Sequence, residues 1–89
     1  MKGGQVTEAD VLADALGGAA NIHDVEPCVT RVRVEVHDPH LVDHGALRDF
    51  GALAVVVAGP VIQVVVGHTA DELAADLETL RRESGREVG

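Results

Sequence analysis

One thiol stands in the chain, Cys28, and two of its few cations follow at offsets of three and five, in Cys28-Val29-Thr30-Arg31-Val32-Arg33. A thiolate is a good nucleophile, and cations beside a thiol favour its charged form. Arg31 and Arg33 are two residues apart in an alternating stretch, so their backbones are separated by about 7 Å of strand rise and their side chains share a face. That spacing allows both guanidinium groups to reach one tetrahedral oxyanion. Arginine does this better than lysine, because its planar fork donates two aligned hydrogen bonds. Thr30 adds a hydroxyl donor. If Cys28 lies in a turn before the strand, neighbouring backbone N–H groups are also free to face an anion. The stretch therefore has the makings of a phosphoryl cradle with a nucleophile inside it. The plainer alternative is a small buried hydrophobic cysteine beside solvated arginines, and a motif this short does not by itself exclude that.

The elements around this stretch follow from pattern. Thr7 and Asp10 have capping-box spacing, and Val6 and Val11 have staple spacing, so a helix opens there. Its expected apolar face is Val11, Leu12, Ala15 and Leu16, and Gly17-Gly18 stops it. Residues 21–27 read as a short edge strand or an extended loop, with Pro27 favouring an end or a turn. Residues 30–36 alternate cleanly: Val32, Val34 and Val36 point one way, Arg31, Arg33 and Glu35 the other. Asp38-Pro39 ends that strand. A short helix is expected over 43–50 with Leu47 and Phe50 inward. Leu53–Val57 and Val61–Val66 form two strands about Ala58-Gly59-Pro60, and their aliphatic content places both at the centre of a sheet. The strongest helix runs over 69–84, with a Thr69/Glu72 capping box, a buried stripe of Leu73, Ala74, Leu77 and Leu80, and Gly85 as terminator. Hairpin connections and strands polar on one face predict an α+β two-layer sandwich: a four-stranded antiparallel sheet with three helices on one face.

Composition bounds the function. The chain has 89 residues, 46% of them hydrophobic, which suits one domain with an ordered core over about 7–84 and looser termini. Seven basic and fifteen acidic residues give a formal charge of −8, which argues against a nucleic-acid partner and against an anionic membrane surface. The longest apolar run, residues 52–66, is interrupted by Gly59-Pro60 and is too short to span a bilayer. There is no apolar segment of the kind that marks a signal peptide behind Lys2. A lone cysteine forms no internal disulfide, so a cytoplasmic location is expected. His37, His40 and His44 have spacings that suit a metal on a helix, but Asp38-Pro39 breaks any helix between the first two, and no metal is expected.

The chain also resembles a known family. Gly17-Gly18, Asn21-Ile22 and the core Cys28-Val29-Thr30-Arg31-Val32-Arg33-Val34 are similar to the IIB domain of the glucose and N-acetylglucosamine branch of the bacterial sugar phosphotransferase system. The similarity continues through Val42-Asp43, Leu47, Phe50-Gly51-Ala52, residues 55–59 and Gln63-Val64-Val65-Val66-Gly67. The resemblance implies that Cys28 accepts a phosphoryl group from a phosphohistidine on a IIA protein and passes it to a sugar bound by a membrane-embedded IIC permease, with no cofactor. It implies a phosphocysteine in an exposed turn between the first two strands, which makes residues 21–27 the first strand. It places Arg31 and Arg33 in the second transfer, to sugar, and Thr30 and Gln63 near the phosphate. A monomer that meets the permease transiently at the inner face of the membrane is expected. One departure stands at Pro60-Val61, where the family has a small polar or Gly-rich turn. If that turn supplied a phosphate donor, this chain would need another. Two other readings of Cys28 remain at this stage: a redox-sensing thiol, and a non-catalytic interaction module that keeps the fold without the chemistry.

Overall fold

The structure, a computed structural model, describes residues 6–86, and of Arg86 only the backbone. The expected looseness of residues 1–5 and 87–89 lies outside the described residues. Seven principal elements follow one another: α1 (Glu8–Ala15), β1 (Ile22–Cys28), β2 (Arg31–Val36), α2 (His44–Asp49), β3 (Ala54–Ala58), β4 (Val61–Val65) and α3 (Ala70–Arg86). Single 3-10 turns at Ala19–Asn21, Pro39–Leu41 and Gly67–Thr69 link them. The strands form one antiparallel sheet in the order β1-β2-β4-β3. The helices cover one face of it, giving the α+β sandwich that the pattern predicts.

Alternation sorts the sheet residues. Val32, Val34 and Val36 of β2 and Ile62 and Val64 of β4 are buried against Leu12, Leu16, Leu47, Leu73 and Leu77 from the helices. The opposite face carries three rows across the sheet: Cys28, Arg31, Val65, Ala54; then Glu26, Arg33, Gln63, Val56; then Asp24, Glu35, Val61, Ala58. Among the described residues no helix lies over this face, so its side chains are open to a partner.

Several expectations need correction. β4 is central, but β3 is an edge strand with four of its five residues exposed: Ala54, Val56, Val57 and Ala58. An unbroken aliphatic run reads alike in a buried strand and in an edge strand, because periodicity carries no information on neighbours. The Thr7/Asp10 capping box forms, with Thr7 N–H donating to Asp10 Oδ2 at 2.9 Å and Asp10 N–H to Thr7 Oγ1 at 3.2 Å. Val6 and Val11 nevertheless stay exposed, and Ala9 and Ala13 take the inward places instead of Val11. α3 grows directly out of the preceding 3-10 turn, so Thr69 is already helical and, among the described residues, makes no hydrogen bond with Glu72. Nor does Gly85 stop α3, which continues to Arg86.

Asn21 ties the start of β1 to its surroundings. It is the buried polar residue of the core, its Nδ2 donating to the carbonyls of Leu16 (2.8 Å) and Asp38 (3.0 Å) and its Oδ1 accepting from Asp38 N–H (2.9 Å). Gly17 makes room for it: a Cβ there would lie 2.6 Å from Asn21 Nδ2, and φ is +100°. A fully satisfied buried amide of this kind fixes one geometry, since any misplacement strands a polar group away from water.

Candidate functional site

The β1–β2 hairpin has a two-residue loop, Val29-Thr30, closed by the pair Cys28↔Arg31. Cys28 is thus the last residue of an edge strand, half-buried, on the uncovered face and outside the aliphatic core. Two-residue hairpins favour turns with positive φ at the first loop position, because that twist matches the strands. Val29 adopts it, with φ of 52°, and its side chain is 89% exposed. A β-branched residue in left-handed space is strained by about 1–3 kcal/mol, and such strain gathers at functional loops.

The loop is held by its second residue. The Thr30 carbonyl accepts from both Val66 N–H (2.9 Å) and Gly67 N–H (2.8 Å), just before α3. With that oxygen turned into the body, the amides of Val29 and Thr30 make no backbone hydrogen bond among the described residues. Thr30 itself is exposed, its hydroxyl likewise unengaged among the described residues. The free donors that the sequence predicts beside the thiol are therefore present.

The arginines divide. Arg31 sits directly across the strand pair from Cys28, and its Nη1 donates to Gln63 Oε1 at 3.1 Å. Gln63 is thereby the side chain that orients Arg31. Arg33 lies one row away and its Nη1 meets Glu26 Oε1 at 3.3 Å, an exposed pair. Exposed pairs of this type contribute about 0–1 kcal/mol, so an arriving dianion can displace the carboxylate. Glu26 has no role in the sequence reading, yet a signal was there: a two-residue loop at 29–30 sets residue 26 opposite residue 33. The β3–β4 turn at Gly59-Pro60 is at the other end of the strands, where the Pro60 carbonyl accepts from Val36 N–H at 2.9 Å. It cannot supply a donor to an anion at Cys28, so Pro60 is compatible with the site.

The histidines go elsewhere. His37 packs edge-on against His23 at 4.9 Å between ring centroids, His40 Nδ1 lies 3.3 Å from Asp38 Oδ1, and His44 opens α2. Among the described residues, no three His, Cys, Asp or Glu side chains converge as metal ligands.

A thiol on an open hairpin stands with a cation across from it and unspent amides beside it. The chain is 46% identical over 74 residues to the PTS system N-acetylglucosamine-specific EIIB component of Streptomyces coelicolor, covering 83% of this chain and 96% of that protein. This protein belongs to the phosphotransferase system EIIB family. The family model, phosphotransferase system EIIB, matches residues 12–43, from the second half of α1 through both strands of the Cys28 hairpin to Asp43, the residue that caps α2. A second relative, the PTS system glucose-specific EIICBA component of Staphylococcus carnosus, is 40% identical over 67 residues; these are 75% of this chain and 10% of that larger protein. The EIIB chain is accordingly a sugar phosphotransferase component of the glucose and N-acetylglucosamine type. Among the described residues, no helix is long and apolar enough to cross a membrane.

Proposed function

We propose that Cys28 is the phosphoryl acceptor and donor of this EIIB protein. In the first step the Cys28 thiolate attacks phosphorus in line; the S–P bond forms as the P–N bond to a histidine of a IIA protein breaks, and the imidazole leaves with a proton. In the second, a sugar hydroxyl held by a IIC permease attacks, the O–P bond forms, the S–P bond breaks, and the hydroxyl proton passes to solvent or a permease base. Phosphoryl transfer is chiefly alignment and charge stabilisation. Arg31, the loop amides and the Thr30 hydroxyl supply donors to the three phosphoryl oxygens. Gln63 keeps Arg31 aimed, and Arg33 exchanges Glu26 for phosphate. The observation that carries the reading is the pair Cys28↔Arg31 across a hairpin end whose amides are unspent.

The name of the Streptomyces relative supports N-acetylglucosamine as the sugar, and that of the Staphylococcus relative supports glucose as the other member of the class. The protein works in the cytoplasm and meets the permease at the inner face of the membrane. Incubation with phosphoenolpyruvate, the general phosphotransfer proteins and a IIA subunit, followed by intact-mass analysis, tests the first step. One added phosphoryl group on the wild type and none on Cys28→Ala is the expected result. An unlabelled wild type, with a mass gain only under oxidant, would replace the carrier reading with a redox one.

A further inference from the structure

The two edges of the sheet are built differently. β1 carries the devices that keep an edge from pairing with another chain: a bulge at His23, where the register slips between Ile22 and Asp24, the charges Asp24 and Glu26, and Pro27. β3 carries none of them. It reads Ala54-Val55-Val56-Val57-Ala58, follows the exposed Leu53 (76%), and leaves Val56 and Val57 about half open at 45% and 47%. We propose that β3 pairs with the β3 of a second copy of this chain, making a continuous eight-stranded sheet about a two-fold axis at Val56.

Hydrogen-bond parity supports this partner. Val66 N–H reaches Thr30 and Val36 N–H reaches Pro60, so even-numbered residues of β4 face β2 and odd-numbered ones face β3. Through the register Val56↔Gln63, the backbone groups of Ala54, Val56 and Ala58 are used on β4. Those of Val55 and Val57 point to the free edge, by the alternation of an antiparallel ladder. Self-pairings centred on Val55 or Val57 would oppose one of these residues to Leu53, whose N–H is already bonded to the Val65 carbonyl, or to Gly59 of the turn; the one centred on Val56 sets Val55 opposite Val57, twice, and Val56 opposite itself. The sequence of β3 is a palindrome about Val56, so this register puts alanine against alanine and valine against valine with no charge opposed to its like. A closed two-fold interface needs this self-complementarity; a strand from an unrelated partner does not. The axis is perpendicular to the sheet, so both uncovered faces look the same way and both Cys28 hairpins, at the outer edges, stay open.

Five residues of edge pairing bury less than the roughly 1,200–2,000 Å² of a stable complex, and each copy carries a charge of −8, so the dimer is weak and favoured by salt. Sedimentation velocity over a wide range of protein and salt concentration is the test, alongside oxidative cross-linking in a Cys28→Ser background. The wild type should shift to dimer as either rises. Val56→Lys, which sets two cations against each other at the axis on the open face, should remain monomeric where the wild type is at least half dimer, with unfolding temperature unchanged. Val57→Pro, which removes an outward N–H and no bond to β4, should do the same. Val56→Cys should cross-link into a dimer and Ala54→Cys, whose mirror position is Ala58, should not. A wild type that is monomeric throughout, a dimer that survives both β3 variants, or equal cross-linking at 54 and 56 overturns the proposal. These readouts do not depend on phosphoryl transfer, so they stand or fall apart from the role of Cys28.

Discussion

The sheet has two hairpins with two-residue loops, and they solve one geometric problem with opposite residues. Both begin with a residue at positive φ: Gly59 at 61° in the β3–β4 turn, Val29 at 52° in the β1–β2 turn. Glycine adopts that conformation without penalty, and Pro60 after it fixes the second φ near −65°. Valine is strained there. The relaxed turn sits at the far end of the sheet and only joins strands. The strained one holds Cys28, with its carbonyl bonded twice to the approach to α3 and its amides left over. The difference teaches that of these two turns the strained one is the one beside the thiol, and that strain is absent where the chain merely joins two strands.

That contrast can be broken at its chemical end first. Cys28→Ser should abolish phosphoryl acceptance measured by intact mass, whereas Gly59→Ala should leave it in place. The next effect is on the cations. Arg31→Lys or Arg33→Lys removes one charge-assisted fork, a loss of about 1.5–3 kcal/mol or ~10–100-fold, and should slow donation to sugar more than acceptance from IIA in single-turnover assays. Equal slowing of both half-reactions would contradict the assignment of the pair to the second step.

Exchanging the turn residues sharpens the comparison itself. Val29→Gly relieves about 1–2 kcal/mol of left-handed strain but returns about 0.5–1 kcal/mol of freedom to the unfolded chain. A net gain of about 1 kcal/mol should appear in urea unfolding, together with slower transfer from a looser loop. Gly59→Val should lose a similar amount with transfer unchanged; no atom lies within 4 Å of a Cβ at that position, so only φ opposes it. If both substitutions move stability in the same direction, the two turns do not differ in strain.

The smallest effect lies away from both turns, on α3. Hydrogen bonds from Arg81 and Arg82 hold the Glu78 carboxyl down at about 2, against an ordinary 4.5, despite the desolvation that opposes them. Its folded value is depressed, so its contribution is complete above pH 4.5 and is lost as pH falls toward 2. Solvent screens these groups, which limits the effect to about 1 kcal/mol. Glu78→Gln should flatten acid unfolding in that window and leave stability at pH 7 lower by about that amount.

Much of this was legible in the residues. The alternation of 31–36 fixed which face Arg31 and Arg33 share, and Thr7/Asp10 and Asp43 marked true helix starts. What could not be read was relational. Nothing in Ala54–Ala58 says that its strand has a neighbour on one side only, and nothing around Asn21 announces three partners from Leu16 and Asp38. At the site, the types were evident but the pairing was not: the contact of Arg31 with Gln63 and of Arg33 with Glu26 depends on which strand lies on either side of β2. Strand order is decided by how the whole apolar surface closes, and short segments do not carry it.

The two hydrogen bonds accepted by the Thr30 carbonyl have one more outcome. A loop anchored in this way offers the same rigid outline to whichever molecule arrives, and little ordering entropy is spent at either encounter. On the role proposed for Cys28, a carrier so braced does not tell its donor from its acceptor by changing shape. The direction of traffic must be written in the two visitors, and in whether the sulfur is bare or loaded when each comes.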